Sequence, residues 1–539
     1  MTGRCLSSDS NTPVSEVQFP LKETKELSFI TAAPATSTQN PNERVIFQRL
    51  EEKTNVHIKW TCFVQDQFSD KKNLALAQFG NLPDGLFNAQ MSDYDLLRYA
   101  KQGIIIPLEN LIDKYMPNLQ AVFEAYPEYR TMCTAPDEAY DRLGCFSGSA
   151  IEADGKHVLV YTGVTRIQLS DGSEQERQNQ CIAFGDGVDY VKYEGNPVVK
   201  GEMLPEDCSR IDFRDPKIWK EGDRYYLIVG NKNQHQIGQV VLFSSENLTD
   251  WKFETILASN ETGNVGTMWE CPDFFALGDK RVLICSPQDM KAQKYEFHNG
   301  HNSVYFLGDY DTETHTFVKE EARPLDYGMD FYAPQTTELP DGRRIMIAWM
   351  KSWDACVVPN SQKWQGMMTL PRELTLRDGR IWQQPVRELE NYRANACRYE
   401  QVELQGVQKL PGIEGRTLDL SITLADDEYE CFRMKLAAND EYETSFCYHK
   451  SEGILEIDRT YCGVTKDIVC TRKIKVHDPK GLRKLRFILD RQSIELFIND
   501  GQQVATTAIC TPLEADEIRF YSDKTLHMTV EKYDIVLPA

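Results

Sequence analysis

Residues 223–231 read DRYYLIVGN and residues 239–245 read QVVLFSS. Both runs are short, rich in β-branched and aromatic side chains, and flanked by turn residues, which is the pattern of strands. It recurs at HVLVYTGV (157–164), RVLICSP (281–287), NSVYFLGDYD (302–311) and RRIMIAWM (343–350). Many short strands at fairly even spacing predict a propeller or a sandwich. The runs LDLSITLA (418–425), FRMKLAA (432–438), LRFILDRQSIELFIND (485–500) and EIRFYSD (517–523) predict a separate β-sandwich toward the C-terminal end.

Ahead of Ala135-Pro136-Asp137 the character differs. In NVHIKWTCFV (55–64), Val56, Ile58, Trp60, Cys62 and Val64 share one face, as in a strand. NPNERVIFQRLEEKTN (40–55) reads as a helix opened near Asn40-Pro41. SDYDLLRYAKQG (92–103) has Ser92 as N-cap and Gly103 as its stop. Residues 106–129 continue with helical spacing, broken at Pro117. The expectation is an α/β segment over 1–136, a β-propeller over 137–392 and a β-sandwich over 393–539.

Composition narrows the function. The 539 residues carry 60 Lys+Arg against 82 Asp+Glu, a net charge of −22. That balance argues against nucleic-acid and anionic-lipid partners, which need a basic surface. No apolar run is long enough for a transmembrane helix, and residues 1–8 show no secretory signal. Fifteen scattered cysteines without a CxxC fit reduced thiols in a cytoplasmic protein better than disulfides or a zinc site.

Four islands carry candidate chemistry: Gly144 to Ala150 (GCFSGSA), Phe213 to Lys217 (FRDPK), Trp269 to Phe275 (WECPDFF) and Asp330 to Thr336 (DFYAPQT). Each alone is a common turn or core string. Together, in order, in one β-rich chain, they suit glycoside chemistry. One carboxylic acid protonates the leaving oxygen, and a second carboxylate stabilises or traps the oxocarbenium-like centre. Glu270, between Trp269 and Cys271, is expected in a partly apolar pocket that raises its pKa. Asp215, directly after Arg214, is expected to stay ionised and to hold sugar hydroxyls.

These islands, with YTG (161–163), RQNQCIA (177–183), LDYGMDFYAPQ (325–335), GMMTLPREL (366–374) and LDRQSIELFINDG (489–501), resemble glycoside hydrolase family 32, the invertase and sucrose-6-phosphate hydrolase family. The resemblance implies a mainly β chain, a five-bladed propeller followed by a β-sandwich. It also implies retaining hydrolysis of β-fructofuranosides, without metal or organic cofactor. It makes Glu270 the acid/base and Asp215 the transition-state stabiliser. Phe146, Ser147, Arg214, Asp330, Tyr332 and Gln335 become substrate-binding or supporting positions. Trp349 and Trp364 are sugar platforms or core in equal measure. The small sugar substrate is the one partner implied.

The family's first blade carries a WMNDPNG-type motif with the nucleophilic Asp, and this chain has none. The nearest string, QNPNE (39–43), would put Asn40, an amide, in that place, and the residues around it do not resemble a blade. Asp66, Asp70 and Asp84 are acids with nothing to place them at the axis. The expected propeller therefore lacks its first blade. Residues 18–137 instead resemble the start of an extracellular solute-binding lipoprotein of an ABC transporter, on QFPLKETKELSFITA (18–32), GNLPDGLFNA (80–89) and YPEYRTMCTAPD (126–137). The two resemblances meet at 135–137, as at a junction of unrelated reading frames. A catalytically impaired chain that still binds sugar, and a solute-binding fragment, are the alternatives.

Overall fold

The computed structural model describes residues 19–33, 40–76, 82–89, 91, 99, 102–106, 108–125, 140–168, 174–351, 353, 366–464 and 468–537. The junction at 135–137, the predicted cap Ser92 and Trp364 lie outside them. The chain divides into two compact units, Met1–Asp137 with Val358–Gln365 and Glu138–Val357 with Gly366–Ala539.

In the first unit, strands β1 (Lys25–Ala33), β2 (Val56–Val64) and β3 (Gly85–Phe87) form a parallel sheet in the order β2-β1-β3. Helices α1 (Val45–Thr54) and α2 (Gln65–Leu76) connect them, as parallel pairing requires. The core is small: Ile30, Ala32, Phe68 and Ala89. The helix expected over 40–55 is interrupted. Asn40 caps a 3₁₀ turn, Pro41–Glu43, accepting the Asn42 N–H at 3.0 Å, and α1 starts only after an extended Arg44. Pro117 divides the next helical stretch into α3 (Glu109–Tyr115) and α4 (Pro117–Ala125).

The second unit opens with four consecutive antiparallel sheets. The first holds β4 (Gly144–Ala153), β5 (Lys156–Gln168), β6 (Glu174–Gly185) and β7 (Tyr190–Lys192). The second holds β8 (Cys208–Glu221), β9 (Arg224–Asn233), β10 (Gly238–Ser245) and β11 (Trp251–Ser259). The third holds β12 (Trp269–Leu277), β13 (Lys280–Pro287), β14 (Val304–Asp311), β15 (Thr316–Lys319) and β16 (Arg323–Pro324). The fourth holds β17 (Tyr332–Glu338), β18 (Arg344–Trp349), β19 (Arg372–Arg377) and β20 (Arg380–Pro385). Each is an up-and-down meander, and the first strands β4, β8, β12 and β17 lie against one another in turn. This is a propeller-like arrangement of four sheets among the described residues. Apolar clusters fill the spaces between sheets: Val160, Phe213 and Phe243 between the first and second, Trp269, Phe274 and Phe306 between the second and third.

Ten further strands make one antiparallel sheet, from β21 (Arg393–Gln408) and β22 (Thr417–Leu424) to β30 (Glu517–Ile535). The 19-residue β30 pairs first with residues 432–438 and then with β22, so it runs through both halves of the layer. Phe432, Phe446, Phe487 and Leu420 are fully buried in its core. This apolar core and the four-sheet region belong to one compact unit.

Candidate active site

Three of the islands occupy the same place on three successive first strands. They read Arg214-Asp215-Pro216-Lys217 on β8, Glu270-Cys271-Pro272-Asp273 on β12 and Tyr332-Ala333-Pro334-Gln335 on β17. The second residue of each is left-handed, with φ of 64°, 47° and 53°. The third is proline, which has no N–H to give a ladder. Pairing to the next strand slips across each motif, between Arg214 and Lys217, Glu270 and Asp273, and Tyr332 and Gln335. These are bulges, and a bulge re-aims the side chains beside it. β4 slips at the matching place, between Phe146 and Gly148. There a Cβ on Gly148 would lie 2.0 Å from the Val160 carbonyl oxygen, so only glycine fits.

The N–H of each left-handed residue is taken by a side chain of the preceding sheet. Asp215 donates to Thr162 Oγ1 at 3.0 Å, Cys271 to Asp215 Oδ2 at 2.9 Å and Ala333 to Ser286 Oγ at 3.1 Å. The bulges thus interlock four adjacent sheets and bring two carboxyl groups together.

Glu270 is held from two sides. Its Oε1 accepts Arg214 Nε at 2.9 Å, and its Oε2 accepts the Tyr332 hydroxyl at 2.6 Å. Arg214 also reaches Asp212 Oδ1 at 3.0 Å, and Lys232 reaches Asp212 Oδ2 at 3.1 Å. Burial opposes the charge on Arg214, but the carboxylates of Glu270 and Asp215 override it and hold the guanidinium charged. The expected apolar pocket around Glu270 is not what forms. Side chains alternate along a strand, so Trp269 turns away into the core and gives its Nε1–H to the Val265 carbonyl.

Asp215 is 8% exposed. Burial first, and the charge of Glu270 second, push its carboxyl above the ordinary value of 3.8. The Cys271 N–H and Arg214 oppose this without reversing it. Arg214 lowers the Asp215 carboxyl without cancelling the rise, because its guanidinium makes its hydrogen bonds to Glu270 and Asp212. The same burial, with the charges of Asp215 and Glu270, lifts the Cys271 thiol well above its usual value. This S–H points at Asp215 Oδ2, 3.5 Å away.

Glu270, Asp215, Arg214 and Tyr332 thus meet in one cluster. Gln335 touches it through the backbone, its Nε2 donating to the Cys271 carbonyl at 3.1 Å. Phe146 and Ser147 are exposed on β4, and Phe146 sits opposite Thr162, whose hydroxyl holds Asp215. Asp330 does not join the cluster. It is 1% exposed, paired with Arg459, which follows strand residues 454–458, and accepting the N–H of Ala508 in the ten-stranded sheet at 2.8 Å. It stands two residues before the bulge and is drawn toward the other layer. Trp349 lies opposite Tyr332, half-buried, its ring 5.3 Å from that of Trp353. Asn40 is spent on its turn, Asp70 is exposed in α2, and Asp84 accepts the Ser28 N–H and hydroxyl, both at 2.8 Å. The side chain of Asp66 lies outside the described residues.

Asp212, Lys217 and Asp273 also belong here and were not singled out. For Lys217 and Asp273 the signal is present in the sequence: a polar residue follows the proline in all three islands. Among the described residues, no group of three or more His, Cys, Asp or Glu side chains is arranged to hold a metal ion. No helix among them is long and apolar enough to cross a membrane.

A buried carboxyl gripped by arginine and tyrosine, beside a second buried carboxyl at bulged strand ends, is a glycosidase type of constellation. The chain belongs to glycoside hydrolase family 32: residues 128–385 match the family's N-terminal domain and residues 388–536 its C-terminal domain. It is 34% identical over 397 residues to a raffinose invertase of Escherichia coli, spanning 73% of this chain and 80% of that one. It is 35% identical over 404 residues to a sucrose-6-phosphate hydrolase of Zymomonas mobilis, spanning 71% and 75%. Among solved structures it resembles a β-fructofuranosidase of Bombyx mori, with TM-score 0.63, 29% identity and coverage of 73% and 80%. It also resembles a sucrose-6-phosphate hydrolase of Lactobacillus gasseri, with TM-score 0.64, 26% identity and coverage of 75% and 80%.

Proposed function

We propose that this chain acts on the β-fructofuranosidic bond of sucrose or sucrose-6-phosphate, with Glu270 as the acid/base and Asp215 as the group that holds fructosyl hydroxyls. The carrying observation is the grip on Glu270. Arg214 and Tyr332 occupy one oxygen each, which fixes the carboxyl while leaving it able to pass a proton to a leaving oxygen. Asp215 has an Oδ2 fixed by the Cys271 N–H, so its other oxygen is oriented for a sugar hydroxyl. Phe146 and Ser147, exposed on β4, line the approach, and Gln335 supports from below. The substrate class is supported by the relatives' names and by the Bombyx mori enzyme, one form of which is solved with sucrose.

A retaining mechanism, as the family resemblance implies, needs a second carboxylate as nucleophile about 5–5.5 Å from the acid. A second reading follows from the missing WMNDPNG-type motif and from four sheets where that resemblance implies five blades. In it the pocket binds the fructoside and turnover is impaired. Fructose release from sucrose and sucrose-6-phosphate, with Glu270→Gln as control, separates the two. Release that vanishes in the control supports a working enzyme. No release, with fructose binding retained by calorimetry, supports the impaired chain. The N-terminal segment 1–136 is proposed as a partial lobe of solute-binding type, supported by its parallel sheet with connecting helices.

A further inference from the structure

Lys217 and Asp273 are the post-proline residues of two successive bulges, and Gln335 is that of the third. Lys217 Nζ donates to Gln335 Oε1 at 3.1 Å and to the Thr336 carbonyl at 2.8 Å, and it pairs with Asp273 Oδ2 at 3.2 Å. Asp273 Oδ2 also accepts the Thr336 N–H at 2.7 Å and its hydroxyl at 2.8 Å. Asp273 is 1% exposed. Gln335 passes the connection upward by donating to the Cys271 carbonyl. The Cys271 peptide is thus tied at both ends, its N–H on Asp215 and its carbonyl on Gln335. It is the link that sets Asp215 against Glu270.

We infer that Lys217, Asp273 and Gln335 form a positioning ring beneath the site. The ring holds the left-handed Cys271 peptide, and with it the spacing of the two carboxyl groups. A buried ion pair is a poor source of net stability, because desolvation offsets most of its attraction. Its value here is directional: one ammonium satisfies acceptors from two neighbouring sheets at once. The ring touches no substrate and acts through Cys271. The inference rests on the proposed roles of Glu270 and Asp215 for its effect on rate, but not for its effect on Cys271.

The test uses the full chain and two measurements. Lys217→Met strips the ammonium but leaves Asp273 uncompensated. The double variant Lys217→Met/Asp273→Asn removes both charges together and keeps an oxygen for Thr336. Gln335→Glu keeps an acceptor for Lys217 and loses the donor to Cys271. Iodoacetamide labelling of Cys271, mapped by mass spectrometry, is expected to quicken about tenfold in the double variant and in Gln335→Glu. Cys285, buried in the same sheet, serves as the control and stays unlabelled. In the fructose-release assay kcat falls about 100-fold while KM moves less than about threefold, as a small misplacement of reacting groups produces. Lys220→Met, whose ammonium lies over the Tyr225 ring, leaves both unchanged. Unchanged Cys271 labelling in the double variant overturns the inference, and so does labelling of Cys271 and Cys285 together. If the unmodified chain releases no fructose, the proposed activity fails while the labelling still decides the ring.

Discussion

The first strands of the four sheets and the ladders of the ten-stranded sheet bury charge in opposite ways. At the bulges of β8 and β12, Asp215 and Glu270 are buried together beside one arginine, and Asp215 is pushed up in pKa by burial and by its neighbour. In the ten-stranded sheet, residues 417–424, 484–490, 493–498 and 503–508 pair without a slip. There the buried acids Asp419 and Glu495 are matched. Asp419 accepts Arg393 at 2.7 Å and Arg486 at 2.8 Å, and Glu495 accepts Arg372 at 2.6 Å. Strained backbone and crowded like charges mark a site, whereas regular ladders with closed ion pairs mark a scaffold. Charge removed from the bulges should therefore cost turnover, and charge removed from the scaffold should cost stability.

Glu270→Gln gives the sharpest form of that contrast. Fructose release is expected to fall about a thousandfold, the range of a lost acid/base group, while the thermal midpoint stays within a few degrees. A large drop in midpoint would break the contrast. Arg372→Leu is its counterpart. Arg372 is wholly buried and bonded to Glu495, Asp326, Gln383 and Thr506, so its loss leaves two acids uncompensated. Denaturant unfolding should show a loss of about 3 kcal/mol.

Tyr332→Phe removes one hydrogen bond to a carboxylate and keeps the ring. Release should slow about tenfold with little change in unfolding, which equals about 1.4 kcal/mol. The smallest effect is on stability in Asp215→Asn, which abolishes release. An acid raised in the fold is favoured when protonated, so its ionisation above about pH 3.8 costs folding energy until the folded group also ionises. Asparagine removes that cost. Stability at pH 7 should rise, and the gain should fade as pH falls toward 3.8. A loss of stability at pH 7 would place Asp215 with the scaffold acids instead.

Much of this was legible in the sequence. The strand runs at 157–164, 223–231, 239–245, 281–287, 302–311 and 343–350 all form strands, because β-branched and aromatic side chains need no partner to be recognised. Glu270, Asp215, Arg214 and Tyr332 could be chosen because their islands stood together. Asp330 was misplaced because adjacency in a string says nothing about which layer a side chain enters. Trp269 misled for the same reason, since strand alternation sends neighbours apart. Lys217 and Asp273 were missed although the pattern of a polar residue after proline repeats three times.

By itself, the sequence determined the element types of the β-rich part and the family, since these follow from local residue pattern and from strings long enough to be specific. Which side chains meet was decided only by the tertiary structure. A bulge turns a short string into a direction in space, and the partner that receives each turned group comes from another sheet, 47 to 63 residues away in the cases of Ala333 with Ser286, Tyr332 with Glu270, and Thr336 with Asp273. No local rule encodes that distance. The direction of the Asp215 shift belongs to the same class, because burial and Glu270 outweigh the arginine beside it in the chain.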